Sequence, residues 1–337
     1  MSEKFFTRRH FLQLWGGGLS IFFLIKYFRN LSEKVKISFQ SSFLPISFKK
    51  TLPKKWTKQN INFGKLNLEE NKNKLSDSDF LLVNDGWINS LNLNEFQNIN
   101  NSTLSEKLDR RASNFLNFFD ANSRKKLFPI GLIPYAVVIK NNKDLNFAAN
   151  QSWDFLLSKN LTGKIILPKS PRIVMSIATA MEDRNSLGKL KSQAMMYEDK
   201  NTLNWLINSE ACVAIVPYTF CYQYTKIDSR ISLVFPNQGV PLIWNFILTK
   251  SKYNTEILVD WVDDLEKNRT INKLSTQGWY LPFKNEYSQS KFKNSVSSKI
   301  SSLGPSKECW ENSWPFAPLD SQSKIYYEKL WNQSLTP

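Results

Sequence analysis

The chain has 337 residues, 42% of them hydrophobic, and a formal net charge of +16. That is apolar material enough for one large domain or two lobes. Its single histidine is His10, in the N-terminal basic and apolar stretch, so the rest of the chain has none for Ser-His-Asp or Cys-His nucleophile systems or the commonest zinc sites, and neither a Walker loop nor a GxGxxG stretch offers a common nucleotide cradle.

The first 30 residues hold five basic residues and one acidic residue, and the remainder carries +12. Lysine and asparagine are spread along the whole chain, without an Arg-rich helix or an aromatic-basic module, so a nucleic-acid partner is not indicated. Three cysteines, Cys212, Cys221 and Cys309, make no disulfide framework. Cys212 and Cys221 either pair in an oxidising compartment or stand as small buried residues. No cofactor and no metal site are expected.

At the N-terminus, Thr7-Arg8-Arg9-His10-Phe11-Leu12-Gln13 precedes an apolar run from Leu14 to Ile25 that Gly16, Gly17 and Gly18 interrupt. The run is shorter than the roughly 20 apolar residues of a spanning helix, and each glycine costs about 1 kcal/mol in a helix interior. The stretch resembles a twin-arginine export signal, with Arg8, Arg9, Phe11 and Leu12 carrying the match. Such signals are addresses read by a receptor, so the resemblance implies that the twin-arginine translocase moves the folded chain across the inner membrane. Lys26-Tyr27-Phe28-Arg29 is a poor peptidase site, so a plain N-terminal membrane anchor stays open for residues 1–30.

Further along, "KVKISF" (34–39) alternates at period 2 and reads as a strand. Asn-rich stretches at 58–78 and 92–106 read as loops or short irregular helices. "DFLLVNDGW" (79–87) is a buried strand from Phe80 to Val83 that ends in an Asp85-Gly86 turn. "NFLNFF" (114–119) reads as part of a helix and "LIPYAVVIK" (132–140) as an apolar strand. Ser152 caps a helix over "SWDFLL". "GKIILP" (163–168) is a short strand, and "PRIVMSIATAM" (171–181) is a helix with Pro171 in its first turn. The stretch 201–220 gives a helix and then a strand ending at Pro217. Strands follow over 230–239 and 240–249. Ile257, Leu258, Trp261, Val262 and Leu265 mark one face of an amphipathic helix. A polar tail (287–302) leads to an aromatic, helix-ending stretch (310–331). Short buried strands alternating with helices predict an α/β fold, with ligands beyond the carboxyl ends of the strands.

Four landmarks in series, "DFLLVNDGW" (79–87), "SWDFLLSKNLTGKIILPKSPRIV" (152–174), "VFPNQGVPLIWNFILTK" (234–250) and "QGWYLPF" (277–283), resemble the solute-binding proteins of ABC importers. The polyamine (spermidine/putrescine) type is the most similar, over roughly 35–283. The resemblance implies a two-lobed periplasmic-binding-protein fold of type II, with a ligand cleft between lobes joined by crossing strands. It places lobe 1 at 31–133 and 247–283, lobe 2 at 134–246, and a partly helical segment at 284–337 packing on both. It implies a periplasmic, monomeric protein without enzymatic activity that hands a small solute to permease subunits in the inner membrane. The ligand contacts it implies are Asp85, Trp87, Ser170, Arg172, Tyr218 and Trp244.

An aromatic face and a carboxylate suit an amine. The polyamine type carries several cleft acids, however, and here Phe246 and Ile173 stand in matching stretches where acids are expected. Buried ammonium groups need partners, so a neutral, singly charged or anionic solute also fits. Arg172, at a helix N-terminus, favours an anion. Two alternatives remain: an exported protein that keeps the fold and has lost ligand binding, and an exported hydrolase using two carboxylates.

Overall fold

The computed structural model describes residues 35–284, apart from 42–43, 67, 100, 142 and 251–253, together with 304–334. The twin-arginine stretch lies outside the described residues. Among the described residues, nine strands form in chain order: β1 (Lys36–Phe39), β2 (Thr57–Asn60), β3 (Phe80–Asn84), β4 (Phe128–Lys140), β5 (Ile165–Leu167), β6 (Ala194–Tyr197), β7 (Val213–Pro217), β8 (Ile231–Val234) and β9 (Leu242–Thr249). Their spatial order is β2-β1-β3-β9-β4-β7-β5-β6, with β8 also paired to β4.

The 13-residue β4 joins two halves of this sheet. Its first part, Phe128 to Pro134, pairs antiparallel with β9, while Tyr135 to Lys140 pairs with β7 and β8. Proline has no backbone N–H to give to a ladder. Pro129 sits at a register shift beside Gly131, and Pro134 is the last residue of β4 paired with β9 before Tyr135 pairs with β7. Both prolines therefore fall where the ladder is already interrupted or changes partner.

The first half holds β1 flanked in parallel by β2 and β3. β2 reads TKQN and is mostly exposed. No hydrophobic alternation announces it, and the sequence reading of 58–78 as loops or short irregular helices missed β2, while the short helix Glu69–Ser76 falls within that reading. Backbone pairing with β1 alone makes it a strand, and a polar edge strand is how sheets avoid aggregation. The amphipathic helix Asn254–Leu265 seals this half. Leu258, Val262 and Leu265 are fully buried, and the Trp261 indole donates to Thr51 O at 3.2 Å.

In the second half, β5 lies between β6 and β7, and all three are parallel. The helix Pro171–Thr179 starts on its proline and buries Ile173, Val174, Met175, Ile177 and Ala178. Ser152 caps its turn as expected, but the segment Trp153–Leu157 is a 3₁₀ helix rather than an α-helix. The Trp153 indole donates to Gly239 O at 2.8 Å.

Where the chain passes between the halves, packing is tight. A Cβ on Gly131 would lie 2.1 Å from the Trp279 ring. Gly239 has φ +92°, and its Cβ would meet the Asn312 carbonyl carbon and oxygen at 2.3 Å. The C-terminal segment crosses at the same place. After the helix Lys307–Asn312, Trp314 pairs with the chain around Pro241: Leu242 N donates to Trp314 O at 2.9 Å, and Trp314 N to Val240 O at 3.2 Å. It then touches the first half, where Asn89 Nδ2 donates to Leu319 O at 3.2 Å. The helix Ser321–Gln333 ends on the second half, where Lys191 Nζ donates to Trp331 O at 2.7 Å.

Cys212, Cys221 and Cys309 are all free thiols. Among the described residues, no helix is long and apolar enough to cross a membrane.

Candidate ligand-binding site

The two halves turn the same kind of edge toward each other. Asn84, the last residue of β3, pairs with Asn245 near the start of β9. Pro217, the last residue of β7, pairs with Tyr135, immediately after the Pro134–Leu242 pair. β1 runs parallel to β3, and β5 and β6 run parallel to β7. The carboxyl ends of strands from both halves thus gather around Pro134–Tyr135 and Leu242–Asn245. Open α/β sheets bind ligands at such ends.

Asp85 is placed there by its neighbour. The Asn84 side chain accepts the Gly86 N–H at 3.1 Å, which starts the 3₁₀ turn Asp85–Ser90. The residue is half-buried as a whole, yet its Oδ2 has no solvent contact and no hydrogen-bond partner. Burial pushes its pKa up to about 7, against the backbone N–H of Trp244, the charge of Arg172 and the backbone of Gly86, which all lower it.

Arg172 comes from the other half, in the first turn of the helix Pro171–Thr179. Its Nη2 donates to Ala317 O, and its guanidinium lies 5.0 Å from the centre of the Phe316 ring. Burial lowers its pKa, while the charge of Asp85 and the Tyr327 hydroxyl act in the opposite direction. Asp85 and Arg172 therefore feel each other's charge across the junction. Ser170 stands two residues before Arg172 as the N-cap, with no side-chain capping bond.

The other predicted contacts are held in aromatic packing. Trp87 is half-buried and stacks on Phe63 with ring centroids 6.0 Å apart, within the first half. Trp244 is a correction. It is fully buried and stacks at 4.7 Å on Phe115 of the helix Arg110–Leu116. Phe246, two positions on and therefore on the same face of β9, stacks on the same ring at 5.8 Å. The pair is core, and only the Trp244 backbone reaches the site. Tyr218 is a second correction. It is 2% exposed, edge-on to Phe235 at 5.3 Å, and a Cβ on Gly278 would come within 2.8 Å of it. Burial pushes its phenol pKa up.

Three residues at the junction escaped the sequence reading. Tyr135 is buried, and its phenol pKa is raised first by burial, then by the charges of Asp199 and Asp85. Its sequence context, one tyrosine in an apolar strand, gives no sign of this. Asp199 follows β6 and accepts the Lys169 N–H at 3.0 Å. Asn245 occupies the face of β9 opposite Trp244; its Nδ2 is buried without a partner. It lines, with Phe39, Gln40, Leu82 and Asn84, a crevice of about 10 Å³, room for about one water. Thr219 Oγ1, at the end of β7, is also buried without a partner. A larger groove of about 610 Å³, lined by Leu108, Leu116, Arg124 and Phe128 among others, lies at the opposite end of the first part of β4. Among the described residues, no cluster of three or more His, Cys, Asp or Glu could hold a metal ion.

No protein-family model matches the chain, and no curated protein matches it by sequence. Solved structures match its shape. The spermidine/putrescine ABC transporter substrate-binding protein of Streptococcus pneumoniae is 12% identical, with a TM-score of 0.63 over 90% of this chain and 98% of that one. An ABC transporter protein of Clostridium perfringens is 15% identical, with a TM-score of 0.60 over 89% and 98%. The apo ferric ion-binding protein A of Pasteurella haemolytica is 14% identical, with a TM-score of 0.60 over 90% and 98%. The fold is therefore the two-lobed α/β fold of periplasmic binding proteins, with the cleft between lobes joined by crossing strands.

Proposed function

We propose that this protein is the solute-binding component of an ABC importer. It captures a small molecule where the two halves of the sheet meet and passes it to membrane permease subunits, with no covalent chemistry of its own. One observation carries the reading: strand ends from both halves converge on one junction, and each half supplies a charged group to it, Asp85 and Arg172. Closing the halves on a solute is the hinge motion that such a geometry permits. The lobes in this reading are 31–133 with 247–283, and 134–246, with 284–337 packed on both.

The export signal resemblance supports a periplasmic protein delivered by the twin-arginine route. Arg8→Lys with Arg9→Lys is expected to leave the protein in the cytoplasmic fraction. A polyamine, the ligand that the sequence resemblance implies, would find one buried carboxylate, the more exposed Asp199 and an opposing guanidinium. The importer reading does not depend on it.

The test is a thermal-shift screen of the full chain against polyamines, amino acids, sugars and small anions. A ligand at one hundred times its Kd stabilises the native state by about 2.7 kcal/mol, so at least one solute is expected to raise Tm by several degrees. No shift with any solute would overturn the reading. It would favour the second one, a binding fold turned to a protein partner, for which the hold of Ala317 and Phe316 on Arg172 is the supporting observation.

A further inference from the structure

Two opposite charges act on each other across the junction, yet neither closes a direct ion pair. Asp85 Oδ2 is shut off from water with nothing to accept from. Arg172 spends its contacts on neutral groups, the Ala317 carbonyl and the Phe316 ring. Buried polar atoms nearly always find partners, and a buried charge without one is costly. The remaining acid of the junction, Asp199, is exposed and anchored by the Lys169 N–H, so water already solvates it.

Each simple ligand class leaves one of these groups worse off. A diamine brings its second ammonium toward Arg172. A dicarboxylate brings its second anion toward Asp85. A sugar offers neither charge a counter-charge of its own. One class satisfies both at once. We propose that the junction takes a small zwitterion, its ammonium group on the Asp85 carboxylate and its carboxylate on the Arg172 guanidinium. The proposal rests on the solute-binding reading above and narrows its ligand. Both contacts are charge-assisted hydrogen bonds, the strong kind, and they come from different halves, so the ligand itself ties the halves together.

The experiment is calorimetric titration of the full chain with glycine, β-alanine, γ-aminobutyrate and 5-aminovalerate, beside putrescine, glutarate and glucose. The expected result is that one amino acid of the length series binds at least tenfold more tightly than putrescine, glutarate and glucose. Asp85→Asn and Arg172→Gln are each expected to weaken it at least tenfold. Arg172→Gln is also expected to gain affinity for putrescine, a positive readout that a misfolded variant cannot produce. Tighter binding of putrescine, glutarate or glucose by the unaltered protein would overturn the zwitterion class while leaving the solute-binding reading standing. Absence of heat with every probe would overturn the class as well. A Tm shift in the wider screen then separates that failure from failure of the solute-binding reading.

Discussion

The crossing base and the strand-end junction are adjacent, yet they are built by opposite rules. At the base, packing has been carried so far that no Cβ fits on Gly131 or Gly239, and the indole N–H groups of Trp244, Trp279 and Trp314 go without acceptors. Shape takes precedence over hydrogen bonding there. At the junction a few ångströms of chain away, the orphaned groups are a carboxylate, an amide and a hydroxyl. The first kind of orphan holds the halves together. The second is open to a partner from outside, water or solute. An unsatisfied buried group is thus informative only with its surroundings: a tight steric fit around an indole explains one, and only a ligand or water explains the other.

The comparison can be broken most severely at the base. Gly239→Val combines overpacking with a side chain at positive φ, and is expected to cost about 3–5 kcal/mol, read as a drop in the urea midpoint. Trp244→Ala should cost about 3–5 kcal/mol through the cavity it leaves under Phe115. Trp244→Phe should restore most of that stability and leave solute affinity unchanged. If Trp244→Phe lost affinity at full stability, the core assignment of that ring would fail.

At the junction, pH sharpens the contrast. Asp85 has a folded pKa of about 7 against an ordinary 3.8, so between those values the native state holds a proton that the unfolded chain releases. Its contribution to stability is greatest below about pH 4 and is lost as pH rises through 7, a change of about 4 kcal/mol. Burial raises the midpoint, and the Trp244 N–H, Arg172 and the Gly86 backbone lower it; Tyr135 faces the same carboxyl. Asp85→Asn is expected to flatten this part of the stability-versus-pH curve. The slope should also shrink in saturating ligand, because an ammonium partner favours the ionised form. The smallest effect is expected at Thr219→Val, which removes an orphaned hydroxyl at nearly constant shape. Its stability change should stay within about 1 kcal/mol and fall on the stabilising side. A loss well beyond that would mean that the hydroxyl has a partner in solution.

Much of the fold was legible because its strands are apolar runs bounded by Pro, Gly and Asp. β3, β5, β7 and β9 all read this way, and the helix Asn254–Leu265 announced itself by spacing. β2 was not legible, since its polar TKQN becomes a strand only by pairing with β1. The site was half legible. Asp85 and Arg172 stand just beyond strand ends, where a general rule finds them. Trp244 misled because "LIWNFILT" is apolar on both faces except at Asn245, and the sequence does not say which face looks at the junction. The helix carrying Phe115 decides that, and it lies far away in sequence. Tyr135 and Asp199 depend on where the two halves of the sheet meet, a tertiary fact that no local pattern encodes.

The three passages of chain between the halves have a mechanical consequence. β4 at Pro134–Tyr135, the stretch Gly239–Leu242 and the segment at Ser313–Trp314 lie side by side, the last two hydrogen-bonded to each other. Parallel leaves fastened in this way act as a flexure, soft to bending about one axis and stiff to shear and torsion. In the solute-binding reading proposed above, Asp85 and Arg172 would travel on a single arc, like the jaws of a caliper, and the length of a solute between them would set the angle at which the jaws come to rest.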